Sequence, residues 1–230
     1  MNRVGFARMV VLALWSAFFA WLLVSGEVYR YIGPRTRWVV VFGAVMLGIA
    51  AIGQARSLRG GSAGVKLSAT EMVALVAFLA PMAVIVLIPK PSLGSEAASR
   101  KSTGLAGVGG AFVPIPQQGG DISFREIQYA SESQEYAAAL GIFDGYEVKL
   151  TGFVTHPDDS QDGTFALTRF ATFCCAADAV PYSVTVDPEG EDYPDDSWLT
   201  VSGSLMNEGG EFVLQPERIT ETTEPKNPYI

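Results

Sequence analysis

Apolar residues run together in three blocks over the N-terminal part of the chain, then switch to strict alternation from Tyr146 onward. Val4 to Val24 is apolar apart from Arg8 and Ser16. About 20 residues at 1.5 Å each cross the ~30 Å hydrocarbon layer of a membrane, so the block predicts a first span over 4–24. Trp38 to Ala55 predicts a second, with Trp38 as an interfacial anchor and Ala44, Gly48 and Ile52 on one helical face. Small side chains on that face let another helix approach closely. Met72 to Ile88 predicts a third, bounded by Glu71 and by Pro89-Lys90-Pro91 and kinked at Pro81. Three spans place the two ends of the chain on opposite sides of the bilayer. The competing reading of the first block is a cleaved leader, with Arg3 and Arg8 ahead of it and Val24-Ser25-Gly26 as the cleavage site. Its length and the two spans that follow favour a retained helix. Residues 1–91 thus read as a transmembrane domain.

Residues 92–120 break the pattern with Gly104, Gly107, Gly109, Gly110, Gly119 and Gly120 and the run Val113-Pro114-Ile115-Pro116, the composition of a flexible tether. Residues 121–230 read as a separate soluble domain. Ser131 followed by Gln134 is a capping-box pattern that predicts one short helix over Glu132 to Leu140, closed by Gly141. Val148, Leu150, Gly152 and Val154 then share one strand face, with Lys149 and Thr151 on the other. Further strands are predicted at Thr164 to Phe173, Tyr182 to Asp187, Trp198 to Leu205 and Glu211 to Ile219. Turns at Asp162-Gly163 and Gly209-Gly210 punctuate them. The fold class is therefore a three-span α-helical membrane half plus a small mainly-β domain, an OB-like barrel with one short preceding helix. Pro188 to Ser197 offers no helix between the third and fourth strands.

Charge separates the same two parts. Residues 1–111 carry eleven Lys or Arg against three Glu, a net of +8, whereas residues 112–230 carry five basic against twenty-one acidic side chains, a net of −16. That acidic domain lacks the cations needed to replace counterions around phosphates, so nucleic acid is excluded as a partner. Basic residues flanking the spans divide five against six and set no orientation. No Asp, Glu, Lys or His stands near the centre of a span, so the three helices carry no ion path of their own. The expected partners are the lipid bilayer and a separate pore-forming subunit.

Chemistry concentrates at Cys174-Cys175, the only cysteines. Adjacent side chains of a strand face opposite ways, so both thiols can serve one ion only where the backbone leaves strand geometry, at a bulge or strand end. Their Cα atoms lie ~3.8 Å apart across a trans peptide, short of the usual disulfide span, which disfavours a structural staple. Asp178 and the single histidine, His156, are the other candidate ligands, and together the four would make a soft, zinc-like donor set. The alternative is a buried cysteine, an exposed thiol, a loop histidine and an aspartate capping a turn. A cysteine nucleophile needs an oriented histidine base, and His156 has no orienter in sequence. With no glycine-rich phosphate loop and no HExxH motif, no catalytic residue is assigned and the expectation is a non-enzyme.

Gly26-Glu27-Val28-Tyr29-Arg30-Tyr31-Ile32-Gly33-Pro34-Arg35, Gly152-Phe153-Val154, and Arg169-Phe170 followed by Cys174-Cys175-Ala176-Ala177-Asp178-Ala179 together resemble the YcgQ-like family of permease subunits. The resemblance implies a multi-pass protein of the bacterial plasma membrane that works beside a polytopic permease of the YraQ type, with its soluble domain outside the cytoplasm. Relatives carry a His-rich segment between the second and third spans. Here that loop, Arg56-Ser57-Leu58-Arg59-Gly60-Gly61-Ser62, has no histidine, a departure that either argues against a metal substrate for this member or confines metal binding to the cysteine-bearing domain. The function expected is an accessory subunit of a two-component permease whose soluble domain captures or gates a metal or metalloid species, zinc being the model cofactor. The rival is a membrane-anchored redox-sensing or protein-interaction module that uses the Cys-Cys pair.

Overall fold

The structure is a computed structural model and describes residues 3–60, 68–87, 93–102, 122–157, 163–188 and 190–230. The chain divides into two compact units, Met1–Pro91 and Ser92–Ile230. In the first, α1 (Arg3–Ser25), α2 (Arg37–Arg59) and α3 (Ala69–Leu87) are the predicted spans, each long and apolar enough to cross a membrane. Ile88, the last residue of the predicted third span, lies outside the described residues. Gly26 takes φ 81° and turns the chain out of α1 into a short 3₁₀ helix, Glu27–Arg30. The small face of α2 meets α1. The Ser16 hydroxyl donates to the Ala44 carbonyl at 2.8 Å, and a Cβ at Gly48 would sit 3.1 Å from that same Ser16 oxygen. Ile52 of the same face stays exposed. Phe18, Leu22 and Val28 form the buried centre of this unit.

The second unit is built on a closed five-stranded barrel of β1 (Tyr146–Thr155), β2 (Phe165–Ala171), β3 (Val180–Val186), β4 (Trp198–Glu208) and β5 (Glu211–Glu221). The strands follow the order β1-β2-β3-β5-β4, antiparallel except where β3 meets β5 at Val186 and Leu214. This is the OB-like barrel that the alternation predicted. Leu150, Val154, Leu167, Val184, Val186, Leu199, Val201, Leu205 and Leu214 fill it, and Phe124, Ile127 and Tyr136 add to the same core. Closure needs two glycines. A Cβ at Gly152 would come within 2.7 Å of the Thr168 carbonyl and 3.0 Å of the Phe124 ring, and one at Gly203, opposite the register shift that leaves Glu217 of β5 unpaired, would overlap the Gln215 carbonyl.

Three expectations change. The single helix becomes two, α5 (Phe124–Glu132) and α6 (Gln134–Leu140), because the capping box is Ser123 with Glu126. Ser133, in extended geometry, breaks the chain between them and accepts from the Tyr136 N–H. Ser131 instead donates to the Ile127 carbonyl and accepts from the Phe212 N–H, tying α5 to β5. Gly141 closes α6 at φ 73°, as its position predicted.

The outer face of β1 is also not polar throughout. After Lys149 and Thr151 comes Phe153, 2% exposed and stacked 5.8 Å from Phe170. These two rings, with Ala98, Ala179 and Tyr229, form a second core outside the barrel. Its cover comes from the third difference: Ser95–Ser102 of the expected tether is a helix, α4, seated on that patch through Ala97 and Ala98. Small side chains let α4 lie close, and the Asp196 carboxylate accepts from the Ser95 N–H at 2.6 Å. The rest of the predicted tether up to residue 120, with its glycines, lies outside the described residues.

Candidate functional site

β2 stops at Ala171, three residues before the first cysteine. The reason is Asp178. Its Oδ1 accepts from the Phe173 N–H at 2.8 Å, and its Oδ2 accepts from the N–H groups of Cys174 at 2.7 Å and Cys175 at 3.2 Å. Successive N–H groups of a strand point to opposite sides, so three in a row can converge on one carboxylate only if the chain curls into an anion-binding nest. Here the anion is the protein's own. Cys175 then caps the 3₁₀ turn Ala176–Asp178, its carbonyl accepting from the Asp178 N–H at 3.0 Å. The curl brings the two sulfurs to one side, 3.7 Å apart, with Cys174 donating to Cys175.

Neither cysteine is in a disulfide; Cys174 is exposed and Cys175 partly so. Phe173, beside them, is 60% exposed. The Asp178 carboxylate pushes the Cys174 thiol up to about 12 through a hydrogen bond, with the Cys175 thiol adding to it. Burial works to raise the Asp178 carboxyl, but the Cys174 thiol and the N–H groups of Phe173, Cys174 and Cys175 outweigh it and hold the carboxyl below its usual range.

The loop is braced from a distant stretch of chain. Lys101, at the end of α4, donates to the carbonyls of Ala179 at 2.7 Å, Ala177 at 3.1 Å and Ala176 at 3.4 Å. A cation on the carbonyl end of this turn complements its dipole. Arg169 acts on the other side. It donates to the carbonyls of Thr151, Asn227 and Pro228 at 3.1, 2.8 and 3.2 Å and lies over the Trp198 ring. Burial lowers its pKa. Phe170 completes the clamp, its carbonyl accepting from the Ile230 N–H at 2.9 Å. Neither Lys101 nor Asp196 carried a signal in the sequence, since each acts on residues 75 or more positions away.

His156 is placed elsewhere. The antiparallel register pairs Thr155 with Ala166, which sets His156 beside the start of β2, whereas the cysteines follow its end. The strand alone separates them by roughly 20 Å at 3.3 Å per residue. His156 instead takes Asp195, with Nδ1 3.0 Å from Oδ1 and its own N–H donating to the same oxygen at 3.1 Å, while Nε2 lies 3.8 Å from Asp192. Among the described residues, the group close enough to share one ion is Cys174, Cys175 and Asp178, with donor atoms all within 4.8 Å of one another.

The DUF1980 C-terminal domain family matches residues 114–230, the whole barrel with α5, α6 and the cysteine loop. The chain belongs to the DUF1980 family. Within that domain, Arg169, Phe170 and Asp178 are the residues that fix the loop and the C-terminal tail to the DUF1980 barrel, while Ala176, Ala177 and Ala179 supply the carbonyls that Lys101 grips. A protein of Streptococcus mutans named "Putative two-component membrane permease complex subunit" is 29% identical to this DUF1980 protein over 94 residues. The match covers 38% of this chain and 34% of the relative, so the chain spans about a third of the curated protein it resembles.

Proposed function

We propose that this protein is a non-enzymatic accessory subunit of a two-component membrane permease. The three spans seat it beside a polytopic pore-forming partner in the bacterial plasma membrane, and the acidic barrel stands on the extracytoplasmic side, where it captures or gates a metal or metalloid species. The similarity to a permease complex subunit supports the assembly half of this reading. The gathering of Cys174, Cys175 and Asp178 on one loop supports the capture half. The thiol pair is the point of contact with the cargo, and His156 takes no part. Alkylation of the full chain in nanodiscs, reduced and then incubated with Zn2+ or arsenite, tests capture. Protection of both thiols by either species is the expected result, and unprotected thiols in every case would refute it. The sulfurs at 3.7 Å also favour a second reading, reversible oxidation of the pair as a sensor. Oxidation by a mild disulfide without protection by either species would favour that module over capture.

A further inference from the structure

We propose, resting on the capture reading, that the loop takes a divalent ion of the zinc class as a bent two-thiolate chelate, with Asp178 as the positioning residue and the remaining coordination positions open to water or to a partner's ligands. The distance between the sulfurs carries the argument. A tetrahedral ion with metal–sulfur bonds of about 2.3 Å has its two sulfurs ~3.8 Å apart, whereas a linear two-coordinate ion with the same bonds needs ~4.6 Å. The Sγ atoms of Cys174 and Cys175 stand at 3.7 Å, on the tetrahedral edge. Filling the site replaces the hydrogen bonds of the Cys174 thiol to Cys175 and to Asp178 with two metal–sulfur bonds and releases the two thiol protons.

Asp178 is within reach of such an ion, yet both of its oxygens hold the loop. Oδ2 accepts from the N–H groups of both cysteines, which uses its two lone pairs, and Oδ1 accepts from Phe173. Withdrawing Oδ2 to ligate would release the two cysteine N–H groups that keep the sulfurs on one side. Its place is that of an outer partner that orients ligands. Closed structural zinc sites have four protein ligands, while sites that exchange their fourth partner have fewer. A two-sulfur edge on an exposed loop, beside the exposed Phe173 ring, belongs to the second kind and suits an ion that is passed on.

The test is a Co2+ titration of the reduced full chain in nanodiscs, with Co2+ as the spectroscopic stand-in for Zn2+. The expected result is one Co2+ per chain, tetrahedral ligand-field bands, thiolate charge transfer with the intensity of two sulfurs, and displacement by Zn2+. Cys174→Ala and Cys175→Ala should each abolish the two-sulfur spectrum. Asp178→Asn should weaken binding by about 10–100-fold, the usual cost of losing an outer partner, and keep the same intensity per bound ion. An altered ligand field in Asp178→Asn at saturating Co2+ would make Asp178 a ligand and overturn its positioning role. Thiols that bind arsenite but give no tetrahedral Co2+ spectrum would overturn the zinc-class chelate and leave capture standing; thiols that bind neither would end the capture reading itself.

Discussion

Asp178→Ala removes the acceptor of three N–H bonds at 2.7, 2.8 and 3.2 Å and should open the cysteine loop without unfolding the barrel. Bonds to a charged acceptor are worth about 1.5–3 kcal/mol each when buried, but Asp178 is only half-buried, and exposed charged contacts fall below about 1 kcal/mol. Three such bonds then hold the loop by about 2 kcal/mol. That corresponds to an approximately 30-fold rise in the open population. Phe173, Cys174 and Cys175 belong to neither of the domain's two hydrophobic cores, so the cost falls on local opening rather than on global stability. Hydrogen exchange by mass spectrometry on a peptide covering 172–176 should accelerate by about that factor, with the strand peptides and the melting temperature unchanged. Asp178→Asn, which keeps one carbonyl acceptor, should fall between. Unchanged exchange in Asp178→Ala would show that the carboxylate does not hold the loop, and the account of why the two sulfurs share one side would fail.

Four other outcomes follow from the same contacts. Lys101→Ala strips the donor from three carbonyls of the loop, and trypsin should cut after Arg100 about tenfold faster in limited proteolysis as α4 loosens. Arg169→Gln should free the C-terminal tail, read as faster carboxypeptidase removal of residues 227–230, with a loss of about 2 kcal/mol in denaturant titration. Gly203→Ala drives a Cβ into the Gln215 carbonyl and should cost the barrel about 2–3 kcal/mol by the same titration. Tyr182, pushed up to about 12 by burial and by the neighbouring Tyr129, binds its proton more tightly folded than unfolded. Stability should therefore hold below the ordinary tyrosine value of about 10 and fall as pH rises from there through about 12, a limb that Tyr182→Phe should flatten.

The spans and the barrel were readable because each rests on a periodicity that burial enforces. A membrane core demands continuous apolar length, and a closed barrel demands alternation, so Val148-Leu150-Val154 pointed inward whatever the rest of the chain did. Docking of α4 was not readable, since Ser95-Glu96-Ala97-Ala98 is as polar and small as a tether. Its helix is fixed by Asp196 and by the patch of Phe153 and Phe170, both remote in sequence. The capping box falls at Ser123 with Glu126, and the Ser131 hydroxyl read from the sequence as the cap is spent on the Ile127 carbonyl and the Phe212 N–H. The cysteines were readable as a candidate, with the condition that the backbone leave strand geometry. What supplies the departure, three N–H groups converging on Asp178, is a geometric fact that composition does not encode. His156 stood in range by chain order and out of range by register.

Purification of the tagged full chain from native membranes, with its partners identified by mass spectrometry, tests the central claim most directly. The account predicts one polytopic membrane protein recovered at fixed stoichiometry with the chain, retained when Cys174 and Cys175 are both replaced by Ala. Recovery of the chain alone across repeated mild extractions would contradict its role as a permease subunit.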